Sequence, residues 1–266
     1  MTAATSPHGS AVHDVWRFRE LWRSLVVRNL KVKYQRSLLG FVWTLLNPLL
    51  TVAVLVTIFT YVVRIPIPGY WAFVLSGYFV WSFVQQMLST GTYVLAEHAP
   101  LRRSVAFPSE VLVLAAAASR LVEFAVELAL ALTALVLFLH GGVPASYALL
   151  PLLVGIQALL AVGLTMPLAC LSVFYRDVQH ALPVVLLVLF YACPVFYPAS
   201  LVPEAARSVY LLNPIAALLT LYHTVLYEGR WPSAVLLGGT SAAAVGIAWL
   251  GYAVFNRYKR LFAEIV

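Results

Sequence analysis

The sequence WRFRELWRSLVVRNLKVKYQR, residues 16–36, leads directly into SLLGFVWTLLNPLLTVAVLVTIFTYVV, residues 37–63. The first stretch carries seven Lys or Arg residues, whereas the second carries no charged residue. A bilayer core about 30 Å thick is crossed by roughly 20 apolar residues of helix, and Lys and Arg collect on the cytoplasmic side. The chain is therefore predicted to enter a membrane here, with a cytoplasmic N-terminus.

The composition agrees with a membrane protein. Of the residues, 62% are hydrophobic and 10% are charged, whereas an average soluble domain carries about 25% charged residues. The net charge of +7 arises beside apolar segments, which favours membrane topology over nucleic-acid binding. Cys170 and Cys193 lie in apolar stretches and predict neither a disulfide nor a thiol site.

Uncharged runs predict an all-α integral membrane protein with six transmembrane helices, since a charge at mid-membrane costs a few kcal/mol. Residues 1–14 are predicted to be disordered and to contain no cleavable signal peptide, so the first helix is the expected insertion signal. An amphipathic interface helix follows at 15–36, and 37–266 form a single six-span domain. The predicted spans are 41–63, 70–93, 110–139, 146–174, 180–197 and 233–255.

The segment 208–227 is also uncharged and long enough to span, but charge distribution argues against it. With six spans, 14 Lys and Arg residues fall on the cytoplasmic side, and Arg64, Arg207 and Arg230 fall outside. A seventh span would move the basic C-terminal cluster outside. Asn213-Pro214 also interrupts the segment. Residues 198–232 are therefore predicted to form an external excursion with re-entrant or interfacial gate helices.

Motifs for catalysis are absent from the sequence. It contains no G-x-x-x-x-G-K-[ST] phosphate loop, no H-E-x-x-H, no paired-cysteine motif and no G-x-S-x-G. The six histidines are scattered, with none paired at i, i+4, so no metal site, catalytic residue or bound cofactor is expected.

The third predicted span carries three charged residues, Arg120, Glu123 and Glu127, on one helical stripe. One interpretation is a polar seam that faces a conduit or a partner helix. The alternative is an ion pair whose members reach toward the cytoplasmic headgroups.

Aromatic residues concentrate in the second predicted span. Tyr78, Trp81 and Phe83 are too deep for the outer interface and are candidates for contacts with an amphiphilic substrate such as a sugar chain. An ordinary aromatic belt is the alternative, because aromatic side chains collect at membrane interfaces whatever the function.

Four sequence blocks resemble those of type-2 ABC-transporter permeases that export lipid-linked polysaccharides, namely O-antigens, capsules and teichoic acids. They cover the chain from about residue 15 to its end. In order they are Arg28 with KYQRSLLG at 33–40, Trp43 and Asn47-Pro48; LRRSVAFP at 101–108; FYRD at 174–177 with PVFYP at 194–198; and LNP at 212–214 with YEG at 227–229.

The resemblance implies that a separate ATP-binding subunit, which holds ATP and Mg²⁺, supplies the energy. Two copies of this chain are expected to pair with two such subunits. The loop at about 93–108 is the family's coupling region, and residues 15–36 are its helix on the cytoplasmic membrane face. The implied coupling residues are Glu97, His98, Leu101, Arg102 and Arg103, and those of the interface helix are Trp16, Arg17, Trp22, Arg23 and Arg28. Alternatively, Arg102 and Arg103 could serve only as topology signals. The interface helix could likewise serve only to anchor the protein.

The excursion at 198–232 is expected to form gate helices over the channel exit, with Tyr197, Asn213, Pro214 and His223 as gate residues. Many members of the family have an arginine at the position of His223 and an acid at that of Thr220, so a charge-mediated gate contact is not expected here.

The predicted function is the channel-forming subunit of an ATP-driven exporter of lipid-linked polysaccharide in a bacterial inner membrane, with both termini cytoplasmic. Its expected partners are a second copy, two ATP-binding subunits, the glycan substrate and membrane lipids, but no nucleic acid. Two alternatives stay open: a type-2 ABC permease for a drug or small lipid, and a membrane enzyme of lipid-linked glycan metabolism. The chain itself is expected not to be an enzyme.

Overall fold

The computed structural model describes residues 16–35, 42–98 and 107–259, together with residues 40, 100 and 101. These residues form helices joined by short turns, and none of them lies in a β-strand. The prediction of an all-α protein is confirmed for this part of the chain.

In chain order the helices are α1 (Arg19–Tyr34), α2 (Val42–Thr57), α3 (Tyr70–Glu97), α4 (Glu110–Leu135), α5 (Leu150–Phe174), α6 (Asp177–Ala192), α7 (Glu204–Tyr210), α8 (Pro214–Tyr222) and α9 (Ala234–Tyr258). Three of them continue into a π-helical turn, which closes longer hydrogen-bonded rings than an α-helix does. These turns are Ile58–Val62 after α2, Val136–His140 after α4 and His223–Tyr227 after α8.

Among the described residues, four helices are long and apolar enough to cross a membrane, and α7 with α8 would make a fifth if the bent pair counts as one span. α3 is long enough but carries Ser, Thr and Gln side chains, and α6 has only 16 residues. The structure therefore has four to five candidate spans, whereas the sequence predicted six. The four agree with predicted spans within a few residues: Val42–Val62, Glu110–His140, Ala145–Phe174 and Ala234–Tyr258.

The predicted helix break at Asn213-Pro214 is confirmed, because α7 and α8 meet there at an angle of 104°. Pro214 occupies the first position of α8, where its missing N–H costs no intrahelical bond. The Asn213 side chain caps the helix, with its Oδ1 accepting from the backbone N–H of Ile215 at 3.0 Å.

The core of the bundle is built around α3, which packs against α2, α4 and α5. Small residues bring α3 and α5 close together, since a Cβ added at Gly91 would overlap the side chain of Thr165. Seven residues after Thr165, Ser172 Oγ donates to the carbonyl oxygen of Thr92 at 2.5 Å. Both contacts join α3 firmly to α5.

α5 and α9 pack even more closely, backbone against backbone. A Cβ at Gly163 would lie 2.6 Å from the Ala248 backbone, and one at Gly251 would lie 2.0 Å from the carbonyl oxygen of Gly163. Without a hydrophobic driving force between helices in lipid, close packing of this kind is a main source of helix association.

We expect Gly251→Ala to lower the thermal midpoint of the detergent-purified protein by several degrees, because the added methyl group has only backbone to displace. Overpacking of this kind costs roughly 1–3 kcal/mol. Gly246→Ala is the matched control on the same helix, since a Cβ there meets nothing within 4 Å. Equal midpoints for the two variants would contradict the close α5–α9 contact.

Candidate functional site

α3 carries a polar stripe in its central part. Tyr78, Trp81, Ser82, Gln85 and Gln86 recur at helical spacing and share one side of the helix. Trp81 Nε1 donates to Gln85 Oε1 at 2.9 Å, and Gln86 Nε2 donates to Ser82 Oγ at 2.8 Å. The stripe therefore satisfies several of its own polar groups.

Part of this stripe lines a cleft of about 340 Å³ between α2, α3 and α6. Polar atoms on the α2 and α3 side face an apolar wall from α6. Such a surface suits an amphiphilic ligand, because flat apolar and hydrogen-bonding groups alternate along it. The lining residues are Thr51, Tyr78, Trp81, Gln85, Pro183, Leu186, Leu187 and Phe190.

The predicted aromatic candidates separate in the structure. Tyr78 and Trp81 line the cleft, whereas Phe83 is fully buried and packs on Phe124 with ring centroids 5.3 Å apart. Successive helical residues turn by about 100°, so a residue two positions after Trp81 points to the opposite side of α3. Phe83 therefore does not line this cleft.

The charged residues of α4 form a buried cluster. Arg120 forms an ion pair with Glu123 and lies 3.8 Å from Glu127 Oε1. Lys33 of α1 joins them, with its Nζ donating to both carboxylate oxygens of Glu123 at 3.0 Å. The α4 members are at most 4% exposed, so they contact protein and do not reach out to headgroups.

Lys33 connects this cluster to the polar stripe of α3, because its Nζ also lies 3.4 Å from Gln86 Oε1. Burial, together with the neighbouring Arg120, lowers the pKa of Lys33 to about 8. The ammonium form thus still predominates at neutral pH and ties the end of α1 to α4.

α1 packs against α4 along the protein. Leu25 is 3% exposed, and the Val26 carbonyl oxygen accepts from Ser119 Oγ at 3.4 Å. This part of the apolar face of α1 therefore contacts protein. Of the predicted interface residues, Trp22 is half-buried, and those on the exposed side are Trp16, Arg17, Arg23 and Arg28.

Two of the predicted coupling residues differ sharply in exposure. Glu97 is exposed at the end of α3, but His98 is 4% exposed. His98 Nδ1 lies 2.9 Å from the Val94 carbonyl oxygen, which only accepts, so Nδ1 carries the proton and Nε2 accepts from Arg28 at 2.9 Å.

His98 is therefore buried in this chain, where it holds α1 against the end of α3. Leu101 is partly buried. Arg102 and Arg103 lie outside the described residues.

The predicted gate residues lie in one connected region. Tyr197 Oη donates to the Tyr191 carbonyl oxygen at 2.9 Å and accepts from Tyr210 Oη at 3.2 Å. Asn213 caps α8, which begins at Pro214. Its Nδ2 also donates to Cys193 Sγ at 3.4 Å. His223 follows α8 and is buried against α3, where it contacts Ser76.

Several site residues were missed at the sequence level. Gln85 follows Tyr78 and Trp81 at i+7 and i+4, so the same helical spacing could have found it. Lys33 and the α6 wall of the cleft carried no such signal. Their contacts join residues up to about a hundred positions apart and depend on packing between helices.

The long apolar helices define a multi-pass membrane protein. The chain belongs to the ABC-2 type transporter family, whose model matches residues 20–227. The family resemblance identified from the sequence is thereby confirmed.

Named relatives match almost the full length of the chain. It is 35% identical over 258 residues to the O-antigen export system permease protein RfbA of Myxococcus xanthus, covering 96% of this chain and 98% of that one. It is 25% identical over 245 residues to a protein of the same name from Klebsiella pneumoniae, covering 90% and 92%.

We expect Glu123→Gln to destabilise the protein more than Lys33→Met. Removing the buried carboxylate leaves two cations facing each other, and breaking a buried pair costs roughly 3–5 kcal/mol. Removing the half-exposed lysine leaves the Arg120 pair in place. Thermal midpoints in detergent measure both effects, and the double variant gives the coupling energy. A larger loss for Lys33→Met would contradict the central position of Glu123.

Proposed function

We propose that this chain is the permease subunit of an ATP-driven exporter that moves lipid-linked polysaccharide across a bacterial inner membrane. The full-length similarity to permeases named for O-antigen export carries this proposal. Membership of the ABC-2 transporter family supports a transport role for the chain itself, with ATP and Mg²⁺ bound by a partner subunit and no cofactor held here.

The cleft between α2, α3 and α6 is the proposed contact surface for the glycan. Its polar groups are accessible from the surface of the single chain, and lipid tails cannot form hydrogen bonds with such groups. α9 provides the contrast, because its exposed side chains Val245, Trp249 and Leu250 are apolar and suit lipid. The cleft surface therefore suits water and sugar hydroxyls. Its aromatic rings offer flat faces to the apolar sides of sugars.

Six spans are proposed, by adding α3 and α6 to the four long apolar helices. α3 has 28 residues and extends about 42 Å, and Trp81 and Ser82 of its polar stripe are buried. α6 has 16 residues and extends about 24 Å, somewhat less than a 30 Å core, and is followed by the buried turn at Cys193–Phe196. Six spans place both chain ends in the cytoplasm.

A second copy of the chain is proposed to complete the pathway. The cleft has walls from three helices of one chain only, and α6 exposes Val184, Leu187, Val188 and Tyr191 beside it. A dimer would close this side and enclose the polar surface. The pathway then opens and closes as two partner ATPases bind and release nucleotide.

The ATP-binding partners are proposed to dock on the cytoplasmic loop after α3. Exposed Glu97 and partly buried Leu101 belong to this surface, and Arg102 and Arg103 are added from the sequence. α1 lies beside this loop, joined through Arg28 and His98. We propose that α1 rests on the cytoplasmic membrane face, with Trp16, Arg17 and Arg23 toward the headgroups and its buried face on α4.

Filling the cleft tests the proposed pathway. We expect Leu187→Trp to reduce surface polysaccharide several-fold in the native host, because Leu187 is 57% exposed within the cleft and a larger side chain would obstruct it. Val245→Trp is the matched control, since Val245 is 58% exposed on the lipid-suited face of α9 and does not line the cleft. Immunoblots of the membrane fraction confirm equal expression. Equal export by the two variants would exclude this cleft from the pathway.

The docking surface is tested on the purified complex. The tagged chain is expected to recover an ATP-binding subunit at equal stoichiometry, and the pair Glu97→Ala with Arg102→Ala to weaken substrate-stimulated ATP hydrolysis without loss of membrane insertion. Arg230→Ala with Glu228→Ala is the control, since this exposed ion pair lies in the external excursion. Unchanged stimulation in the Glu97 and Arg102 variant would place the docking surface elsewhere, and a stable permease without an ATPase would overturn the function.

A further inference from the structure

His223, the first residue of the π-helical turn after α8, is held against α3. The side chain is 6% exposed, and its ring stacks on Phe73 with centroids 4.0 Å apart and planes 4° apart. The imidazole thus fills an internal position between the external excursion and the outer half of α3.

Both ring nitrogens of His223 have partners on different segments. Nε2 lies 2.8 Å from the carbonyl oxygen of Pro194, in the turn after α6. Because a carbonyl only accepts, Nε2 carries a proton, and Nδ1 of the neutral ring is an acceptor. Ser76 Oγ of α3 lies 2.9 Å from Nδ1 of His223. The Ser76 hydroxyl has a second possible acceptor, the carbonyl oxygen of Phe73, at 2.8 Å. One side chain therefore joins α3, the α6 turn and the end of α8.

Gly77 makes room for this contact. A Cβ at that position would lie 2.7 Å from Cε1 and 2.8 Å from Nε2 of the His223 ring. Glycine inside a helix costs about 1 kcal/mol relative to alanine, so its presence in the middle of α3 needs a reason. The close approach of the imidazole supplies that reason.

The other side of the π-helical turn is anchored as well. The Val225 carbonyl oxygen accepts from Ser146 Oγ at 3.3 Å, and that of Leu226 accepts from Tyr147 Oη at 3.2 Å. His140 Nε2 lies 2.9 Å from the same Leu226 oxygen. The turn is therefore held between α3 on one side and the α4–α5 connection on the other.

α7 is less firmly attached to the bundle than α8 is. No residue of Glu204–Tyr210 is buried, and Val209 and Leu212 are 69% and 78% exposed. Arg207 donates only to nearby carbonyl oxygens of the preceding turn. The link from Tyr210 to Tyr197 is a single hydroxyl pair at 3.2 Å.

We propose that His223 is the positioning residue that fixes α8 and its π-helical turn to α3, so that the part of the external excursion that moves during export is the segment 199–212. The movement pivots at the bend before Asn213. The assignment of the moving segment rests on the proposed export function. The role of His223 in fixing α8 to α3 does not depend on that function.

Labelling of single cysteines with a membrane-impermeant maleimide from the outside tests the proposal. In a Cys170→Ser, Cys193→Ser background, Val225→Cys reports on the π-helical turn and Val209→Cys on α7. Val225 is fully buried. We expect Val225→Cys to stay unlabelled in the complex with its ATPase, both nucleotide-free and vanadate-trapped, and the labelling rate of Val209→Cys to differ between the two states.

His223→Phe keeps the ring but removes both hydrogen bonds. It is expected to raise the labelling rate of Val225→Cys about tenfold or more, the size that follows from the loss of two buried hydrogen bonds to local opening. Gly77→Ala should do the same without changing His223, because its methyl group displaces the ring. His223→Gln, which can still donate to the Pro194 carbonyl, should give an intermediate rate.

His180→Phe is the matched control, because His180 is exposed on α6 and its loss should leave Val225→Cys unlabelled. If His223→Phe fails to fold, His223→Gln and Gly77→Ala still decide the matter. Unchanged protection of Val225→Cys in all three would overturn the fixing role. Labelling of Val225→Cys on vanadate trapping with His223 in place would show that α8 moves too, and overturn the assignment of the moving part.

The resting-state comparison separates this proposal from the proposed function. It needs only the permease in a membrane, with neither substrate nor ATPase. A chain that recovers no ATPase would contradict the export function, while the labelling rates of native and His223→Phe protein would still support or overturn the role of His223.

Discussion

A protein within a bilayer has to satisfy its own polar groups, because lipid offers no hydrogen-bonding partner. This constraint explains why the described helices carry polar side chains at particular positions. Asn213 caps the helix start that follows the 104° bend, and His223 uses both ring nitrogens where three segments meet. Lys33 and Arg120 surround the Glu123 carboxylate where α1 meets α4. These polar residues lie at contacts between helices, and their hydrogen bonds and ion pairs fix the relative positions of the helices.

The bundle has one tightly packed side and one looser side. α3, α5 and α9 approach so closely that Gly91, Gly163 and Gly251 have no room for a methyl group. In contrast, only Leu182 and Leu186 of α6 are buried. The cleft lies at the boundary between the two sides, with its polar wall on the packed α3 and its apolar wall on α6. The α6 wall of the cleft is therefore held by fewer packing contacts than the α3 wall.

Local patterns were enough to predict the helical class, four long spans, the break at Asn213-Pro214 and the grouping of Arg120 with Glu123. Each depends on residues that are close in sequence. The inward position of His98 and the contact of Lys33 with Glu123 were not predictable in this way, because helix-to-helix packing decides them. The separation of Phe83 from Trp81 was predictable, since helical rotation alone places them on opposite sides of α3.

The backbone contact between α5 and α9 also bears on how such a chain can evolve. Any residue larger than glycine at position 163 or 251 would force the two helices apart. Residues on the open side of α6 touch few neighbours and can be exchanged singly. Sequence change is thereby directed away from the α5–α9 contact and toward the α6 wall of the cleft.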